Sequence, residues 1–150
     1  MSGAEHKALV RRFFDEVVNG GNVTVADEIF APTFPGGLEP IKAMASMWRT
    51  AFPDLQVSIE DMIAEGDRVV ARLTIRGTHQ GELRSQLLGT IAATGRQATW
   101  TGIDMFRIAG GRIAERWNER DLVGLLQQRG VIVRMQQAAL PMIGECLPDC

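Results

Sequence analysis

The stretch that decides the fold is residues 52–81, FPDLQVSIEDMIAEGDRVVARLTIRGTHQG. Pro53 ends the preceding helix, and from Leu55 onward apolar and polar residues alternate with a period of two. The alternation resumes after Glu65-Gly66-Asp67, which is a turn signal, so the stretch predicts two paired strands with one buried face each. A histidine, His79, falls where the second strand ends.

Three helices are predicted before these strands. Apolar residues at helical spacing from Leu9 to Val18 predict the first helix, which Gly20-Gly21 ends. A short second helix is predicted with Thr24 as its N-cap, and a third carries Pro40 in its first turn.

The remainder of the pattern predicts further strands and a last helix. Residues 80–93 are poorly periodic and predict a loop with a short strand or partial turn. Long strands are predicted at 97–108 and 112–120, and a short helix at 122–128. Helices followed by a run of antiparallel strands are typical of an α+β domain with helices packed on one sheet face.

Composition limits the classes of partner. The chain has 150 residues, enough for one domain, and a net charge of -2 with 16 basic and 18 acidic residues. These charges are dispersed, which argues against nucleic acid or a membrane as a partner. The sequence shows no signal-peptide layout and no membrane-spanning run, so we expect a cytoplasmic protein. No phosphate-binding, dinucleotide or zinc motif is present, and Cys146 and Cys150 are expected in a solvated tail, so neither a cofactor nor a metal is predicted.

Asp104 is the candidate catalytic group. In the strand 97–108, one face carries Trp100, Gly102, Asp104 and Phe106, and it is apolar apart from Asp104. A carboxylate among such neighbours loses hydration, so it must find a partner or change its proton affinity. The alternatives are a catalytic base, a carboxylate buried in an ion pair with an arginine, and a side chain that faces outward.

The turn between the last two strands decides what Asp104 meets. A three-residue loop, Ala109-Gly110-Gly111, pairs Asp104 with Arg116 and Gly102 with Asn118. A two-residue loop would present the other face of the last strand, since a shift of one residue exchanges the faces. We expect the three-residue loop, because Gly111 can supply its left-handed residue.

Residues 52–81, together with DMFRIAGGRIAERWNERDLVGLLQQRG at 104–130, resemble the SnoaL-like polyketide cyclases of the nuclear-transport-factor-2-like superfamily. The resemblance covers roughly residues 5–130. It implies a cone-shaped α+β barrel at 1–130, whose curved, mostly antiparallel sheet and N-terminal helices enclose a pocket, followed by a tail at 131–150.

The resemblance also suggests roles for residues. In these cyclases the position matching Asn118 carries an aspartate that serves as general acid and base, and the position matching Asp104 carries a histidine. In a cyclase of this sequence, Asp104 would be the base, Asn118 would hold a carbonyl and Arg116 would stabilise the enolate. His79 lies in a motif shared by many such chains and would act as an acid, orient the substrate or serve structure alone. Asp121 is either a further site residue or the N-cap of the last helix.

Aromatic side chains are candidate walls for a flat ligand. The candidates for substrate binding are Trp48, Phe52, Trp100, Phe34 and Phe106.

Three functions follow from the resemblance. The first is a cofactor-independent cyclase or isomerase (lyase or isomerase type) of antibiotic biosynthesis, closing a ring of an aromatic polyketide by an intramolecular aldol-type reaction. The second is a component of a polyketide hydroxylase, and the third is a non-catalytic module for ligand binding or dimerisation. The resemblance further implies a homodimer or homotetramer that packs through the outer face of the sheet.

Overall fold

A computed structural model of the chain describes residues 1–85 and 89–128. The helical elements are α1 (Gly3–Arg12), a π-helical continuation (Phe13–Asn19), a 3-10 turn (Val23–Val25), α2 (Ala26–Ile29), α3 (Glu39–Ala51) and α4 (Leu122–Gln128). The strands are β1 (Gln56–Glu65), β2 (Arg68–Thr78), β3 (Leu83–Ser85), β4 (Gly89–Ile91), β5 (Gln97–Ala109) and β6 (Arg112–Arg120). The predicted tail at 131–150, with both cysteines, lies outside the described residues.

The four long strands form one antiparallel sheet in the order β1-β2-β5-β6, and β3 pairs with β4 separately. The helices pack on the inner face of the curved sheet, whose buried residues alternate along β2 and β5. The α+β cone fold predicted from the sequence is confirmed. Within the described residues, no helix is long and apolar enough to cross a membrane.

The first helix widens into a π-helix where it reaches the core. Phe13, Phe14, Val17 and Val18 lie in this segment and are all buried. A π-helical turn holds more residues than an α-helical turn, so these four side chains share one broad inward face. Asn19 then ties the end of the segment to β1, accepting from Val57 N at 2.7 Å and donating to Val57 O at 2.9 Å.

Two local predictions were wrong. Thr24 does not cap α2, because its hydroxyl donates to Asn22 Oδ1 at 2.7 Å and the short helices have no side-chain cap. The segment expected to hold one short strand contributes two, β3 and β4. Pro40 lies in the first turn of α3 as predicted.

The β5–β6 turn also differs from the prediction. It has two residues, Gly110 and Gly111, with φ of 59° and 75°, and Ala109 pairs with Arg112. Positive φ at both central positions is the geometry of the tight hairpin turn that matches strand twist, and glycine adopts it without strain. The three-residue loop was therefore wrong.

A β-bulge in β6 lies just after this turn. Because of it, the inner face of β6 carries the residues that the three-residue loop had predicted there. The register shifts between Arg107 and Ile108, so that Phe106 pairs with Arg116 and Asp104 pairs with Asn118. The bulge inserts one residue into β6, and one residue is enough to exchange the two faces of a strand. The inner face of β6 therefore carries Arg116, Asn118 and Arg120, and the outer face carries Glu115, Trp117 and Glu119.

Candidate functional site

A cavity of about 240 Å³ lies between the π-helical segment, α3 and the inner face of the sheet. One end is apolar and aromatic, and the other end is formed by β6. Among the lining residues in the described part of the chain, only Arg116 and Arg120 are ionisable. Its lining comprises Phe14, Val18, Met44, Trp48, Leu55, Val57, Ile75, Trp100, Arg116, Asn118, Arg120 and Leu122.

Asp104 lies directly behind the two arginines and exposes no surface. Its Oδ2 accepts from Nε and Nη2 of Arg116, at 2.9 Å and 2.7 Å. Its Oδ1 accepts from Nη1 of Arg120. The prediction left three alternatives open, and the outward-facing one is excluded because the carboxylate is buried in an ion-paired cluster.

Arg116 is held tightly. Its side chain is 5% exposed, and its guanidinium lies 5.1 Å from the Phe13 ring centroid and 6.0 Å from that of Phe106. Burial lowers the pKa of Arg116 below its ordinary value, and the charge of Asp104 opposes that shift. A guanidinium starts from so high a pKa that it stays charged.

Arg120 was not predicted from the sequence as a site residue, although strand parity indicates it. It shares the even-numbered face of β6 with Arg116 and Asn118, and its side chain is 18% exposed. Gly102 lies opposite it on β5, where an added Cβ would stand 2.6 Å from Arg120 Nη1. A glycine at this position gives the arginine room to cross β5 and reach Asp104.

Asn118 stands at the mouth of the cavity. It is exposed and pairs directly with Asp104 across the β5–β6 ladder, whereas the sequence had predicted Gly102 as its partner. It also borders a neighbouring cavity of about 280 Å³, which Phe34 lines. Its amide is therefore open to a ligand in either cavity, as donor and as acceptor.

His79 lies outside the cavity lining. It is fully buried, and its ring stacks on Phe52 with centroids 5.4 Å apart. Its Nδ1 accepts from Thr94 N at 3.2 Å and lies 3.1 Å from Thr94 Oγ1. These contacts at Nδ1 fix the orientation of the ring. The geometry supports a structural link between the end of β2 and residue 94.

Asp121 caps α4. Its Oδ1 accepts from Gly124 N at 2.8 Å, three residues along the chain, which is the geometry of an N-cap. It is exposed and does not line the cavity. Of the two roles predicted from the sequence, the structure shows the capping contact.

Four of the five predicted aromatic residues form two groups, and the fifth, Phe34, lines the neighbouring cavity instead. Trp48 and Trp100 line the cavity with ring centroids 5.6 Å apart. Phe52 and Phe106 expose no surface and support the lining from behind, and Phe52 lies between the tryptophans and His79. The sequence did not single out Phe14, Val18 or Met44 as lining residues, because their spacing is that of any buried helix face.

The cluster concentrates positive charge beside an apolar chamber. Two guanidiniums and one carboxylate leave an excess of one positive charge, and an amide lies beside them. Such donors stabilise negative charge on oxygen, and water exclusion strengthens the effect. Among residues 1–85 and 89–128, no group of three or more His, Cys, Asp or Glu side chains is placed to hold a metal ion.

Comparisons with known proteins agree with this architecture. The family model for SnoaL-like polyketide cyclases matches residues 8–129. The structure of TsrD from Streptomyces laurentii is 32% identical, with a TM-score of 0.77 over 87% of this chain and 98% of TsrD. AclR, a putative hydroxylase from Streptomyces galilaeus, is 27% identical, with a TM-score of 0.73 over 86% of this chain and 98% of its own.

IdmH from Streptomyces antibioticus, described as a putative polyketide cyclase, is 25% identical, with a TM-score of 0.70 over 84% of this chain and 99% of its own. No curated protein matches the sequence. The family model covers most of the chain, and the neighbours share the fold over nearly their whole length. The chain therefore belongs to the SnoaL-like polyketide cyclase family.

Proposed function

We propose that the cavity catalyses cofactor-independent ring closure of an aromatic polyketide intermediate. The observation that supports this most is the buried pairing of a carboxylate with two arginines at the polar end of an aromatic chamber. A base removes a proton from a carbon between two carbonyls, and the enolate carbon attacks a third carbonyl. The resulting alkoxide takes the proton back, so the product is an isomer of the substrate.

Arg116 and Asn118 are assigned to the enolate oxygen in this proposal. Arg116 is rigid, because two hydrogen bonds and two aromatic rings hold it, so its remaining donors are organised before the substrate binds. Donors placed in advance where charge develops account for much of the rate enhancement in such sites.

Asp104 is assigned the role of base. It is the carboxylate that both arginines of the cavity contact, and no Asp, Glu or His belongs to the described lining. Arg120 must first release Oδ1, because both oxygens accept from arginines before the substrate binds. A carbon between two carbonyls is acidic enough to tolerate a weak base that is well placed.

The test compares Asp104→Asn with Glu119→Gln, a matched change from carboxylate to amide on the outer face of β6. Each protein is incubated with a panel of polyketide-derived 1,3-dicarbonyl compounds, and products are separated by chromatography and mass. We expect wild type and Glu119→Gln to give a ring-closed isomer, and Asp104→Asn to be slower by about 100-fold or more.

Asp104→Asn also leaves two arginines without their partner, which costs about 3–5 kcal/mol of stability when a buried pair is broken. Turnover is therefore measured below the unfolding transition, with near-ultraviolet circular dichroism as the check on folding. Full turnover by folded Asp104→Asn would remove Asp104 from the mechanism.

A hydroxylase component is the second candidate. It is favoured by the similarity to AclR and by the amide at position 118, where the family resemblance implies a carboxylate in cyclases. The same incubation, repeated with dioxygen and an added reductant, separates the two, since a hydroxylated product gains one oxygen and a cyclised product keeps the mass of its substrate. Binding of the panel with no conversion would favour the third candidate, a ligand-binding module.

We also propose that the outer face of the sheet joins two copies of the chain, as a homodimer or as part of a homotetramer. A row of apolar residues crosses all four strands in register: Ile63, Val70, Met105 and Trp117. Ile63 and Trp117 are 63% and 43% exposed, which is unusual for large apolar side chains in a continuous row.

Charged residues flank this row on both sides. Asp61, Arg72 and Glu119 lie on one side of it, and Glu65, Arg68, Arg107 and Glu115 lie on the other. Both signs occur in each flanking row, so a second copy related by a two-fold axis can meet the face with opposite charges. The cytoplasmic location stays a prediction from the sequence.

A further inference from the structure

The cavity has more positive charge than its own residues neutralise. Arg116 and Arg120 share a single carboxylate, and the described residues that line the cavity include no acidic side chain. Glu115, on the neighbouring cavity, is already paired with Arg107 at 2.7 Å. One unit of positive charge thus faces a largely apolar chamber, where a charge is costly unless it is paired.

The two arginines also have donors that the described residues do not use. Nη1 of Arg116, whose side chain is 95% buried, has only Met44 Sδ within reach, at 3.6 Å. In the described part of the chain, Nε and Nη2 of Arg120 have no hydrogen-bond acceptor. Nε and Nη2 of Arg120 are not fully buried, so water meets them in the empty cavity, and a ligand with acceptor oxygens can take the place of that water.

Arg120 is held by fewer contacts than Arg116. It contacts Asp104 through one nitrogen, Nη1, which also donates to the backbone oxygen of Glu119 at 3.0 Å. It is more exposed than Arg116 and lacks the aromatic packing that fixes Arg116. A guanidinium presents a planar fork that fits a carboxylate through two parallel hydrogen bonds.

The opposite end of the cavity limits the rest of the ligand. Trp48 and Trp100 form an aromatic wall, and Leu55, Val57 and Ile75 complete an apolar chamber. The volume of about 240 Å³ is below the usual range for drug-sized ligands, which starts at about 300 Å³. The chamber therefore suits one or two fused rings.

We propose that the substrate is a one- or two-ring aromatic compound with a free carboxylate, and that this carboxylate binds Arg120 and draws it away from Asp104. The inference rests on the proposed function, because the substrate class that it names is the class that the reaction consumes. Binding then frees Oδ1 of Asp104 only when the correct substrate is present. The guanidinium of Arg120 would thus both hold the substrate and, by moving, free the base.

The test uses 2-naphthoate and methyl 2-naphthoate, which have the same ring system and differ in charge. Neither has a carbon acidic enough to undergo ring closure, so binding is measured without turnover. Affinity is measured by isothermal titration calorimetry and by quenching of tryptophan fluorescence at low salt. We expect the carboxylate to bind about tenfold tighter or better than its ester, as for a hydrogen-bonded charge in a partly dry site.

Two arginine variants locate the effect. Arg120→Gln removes the charge in the cavity and is expected to abolish the preference for the carboxylate. Arg72→Gln removes an exposed charge on the outer face of β2 and is expected to leave the preference unchanged. If Arg120→Gln does not fold, added salt replaces it, since salt should weaken binding of the carboxylate and leave that of the ester unchanged.

Equal affinity for acid and ester, or a preference that survives in folded Arg120→Gln, would overturn the inference. That result would leave ring closure of a neutral substrate standing. If the protein prefers the acid strongly but closes no ring, the carboxylate site stands and the proposed function fails.

Discussion

At the scale of single residues, the site depends on Gly102, which has no side chain. Gly102 has ordinary backbone angles, so its need for glycine is one of space. A Cβ there would stand 2.6 Å from Arg120 Nη1 and 2.9 Å from the backbone oxygen of Glu119. Both distances are too short for a methyl group, so this glycine holds open the route by which Arg120 reaches Asp104.

Gly102→Ala is expected to destabilise the protein by about 1–3 kcal/mol, the usual cost of overpacking a well-packed position. The measurement is urea unfolding, with Gly3→Ala as the control, since a Cβ at Gly3 meets only Ala64 at an ordinary 3.5 Å.

The same substitution in an Arg120→Ala protein shows which atoms the added methyl group meets. In Arg120→Ala the obstructing side chain is absent, so Gly102→Ala should cost less there than in the wild type. An equal cost in both backgrounds would show that the strand backbone, rather than Arg120, is what the methyl group meets.

The residues that could be predicted from the sequence were those that alternation places together. Asp104 on an apolar face of β5 is visible in the sequence, and so is the shared parity of Arg116 and Asn118. The pairing of both oxygens of Asp104 was not visible, because it depends on the angle at which Arg120 crosses β5. The burial of His79 behind Phe52 depends on the packing of α3 against the end of β2, which no local pattern shows.

At the scale of secondary-structure elements, the bounds of β5, β6 and α4 agree with the prediction, and the register between β5 and β6 does not. Strand alternation and glycine turns are local signals, so a sequence shows them directly. A bulge leaves no such signal, since an extra residue in β6 looks like ordinary alternation. The wrong loop length and the missed bulge each shift the register by one residue. Together they leave the predicted side chains on the inner face of β6.

The junction between α3 and β1 is held by Asp54. Its carboxylate accepts from Thr78 N at 2.7 Å and from Thr78 Oγ1 at 2.8 Å, which connects this loop to the last residue of β2. These hydrogen bonds, the backbone one foremost, hold the pKa of Asp54 below its usual value. A lowered pKa in the folded state means that the ionised carboxylate stabilises the fold.

We expect this contribution to be present above about pH 4, the ordinary pKa of an aspartate, and to be lost as pH falls through the lower pKa of the folded state. Wild type should therefore exceed Asp54→Asn in thermal stability at pH 7, and the gap should narrow in acid. Asp15→Asn, which removes an exposed carboxylate without a hydrogen bond to the described residues, controls for the general effect of charge. A gap that stays constant with pH would contradict the assignment.

At the scale of the whole molecule, the sheet separates two chemically different surfaces. The inner face encloses the cavity, and the outer face presents the apolar row of Ile63, Val70, Met105 and Trp117 between rows of charge. Trp117 also lies under the guanidinium of Arg68, at 5.1 Å from its ring centroid. The strand pairing that aligns the inner residues around the cavity also aligns this outer row.

Trp117→Glu is expected to convert the proposed dimer to monomers, because it places a charge at the β6 end of the apolar row. Light scattering after size exclusion measures the mass. Val123→Glu makes the same change at an apolar side chain on α4 that is 60% exposed, so it is the matched control and should leave the mass unchanged. A Trp117→Glu protein with the mass of the wild type would exclude this face as the interface.

The extra residue in β6 has a consequence for descent within the family. Point substitutions can change the chemistry of either surface independently. The loss or gain of a single codon between the glycine turn and Arg116 would instead exchange the inner and outer faces of β6. Trp117 would then enter the chamber, while the arginines and the amide would be expelled to the outside. Natural variation in this ribbon should therefore be rich in replacements and nearly free of length changes.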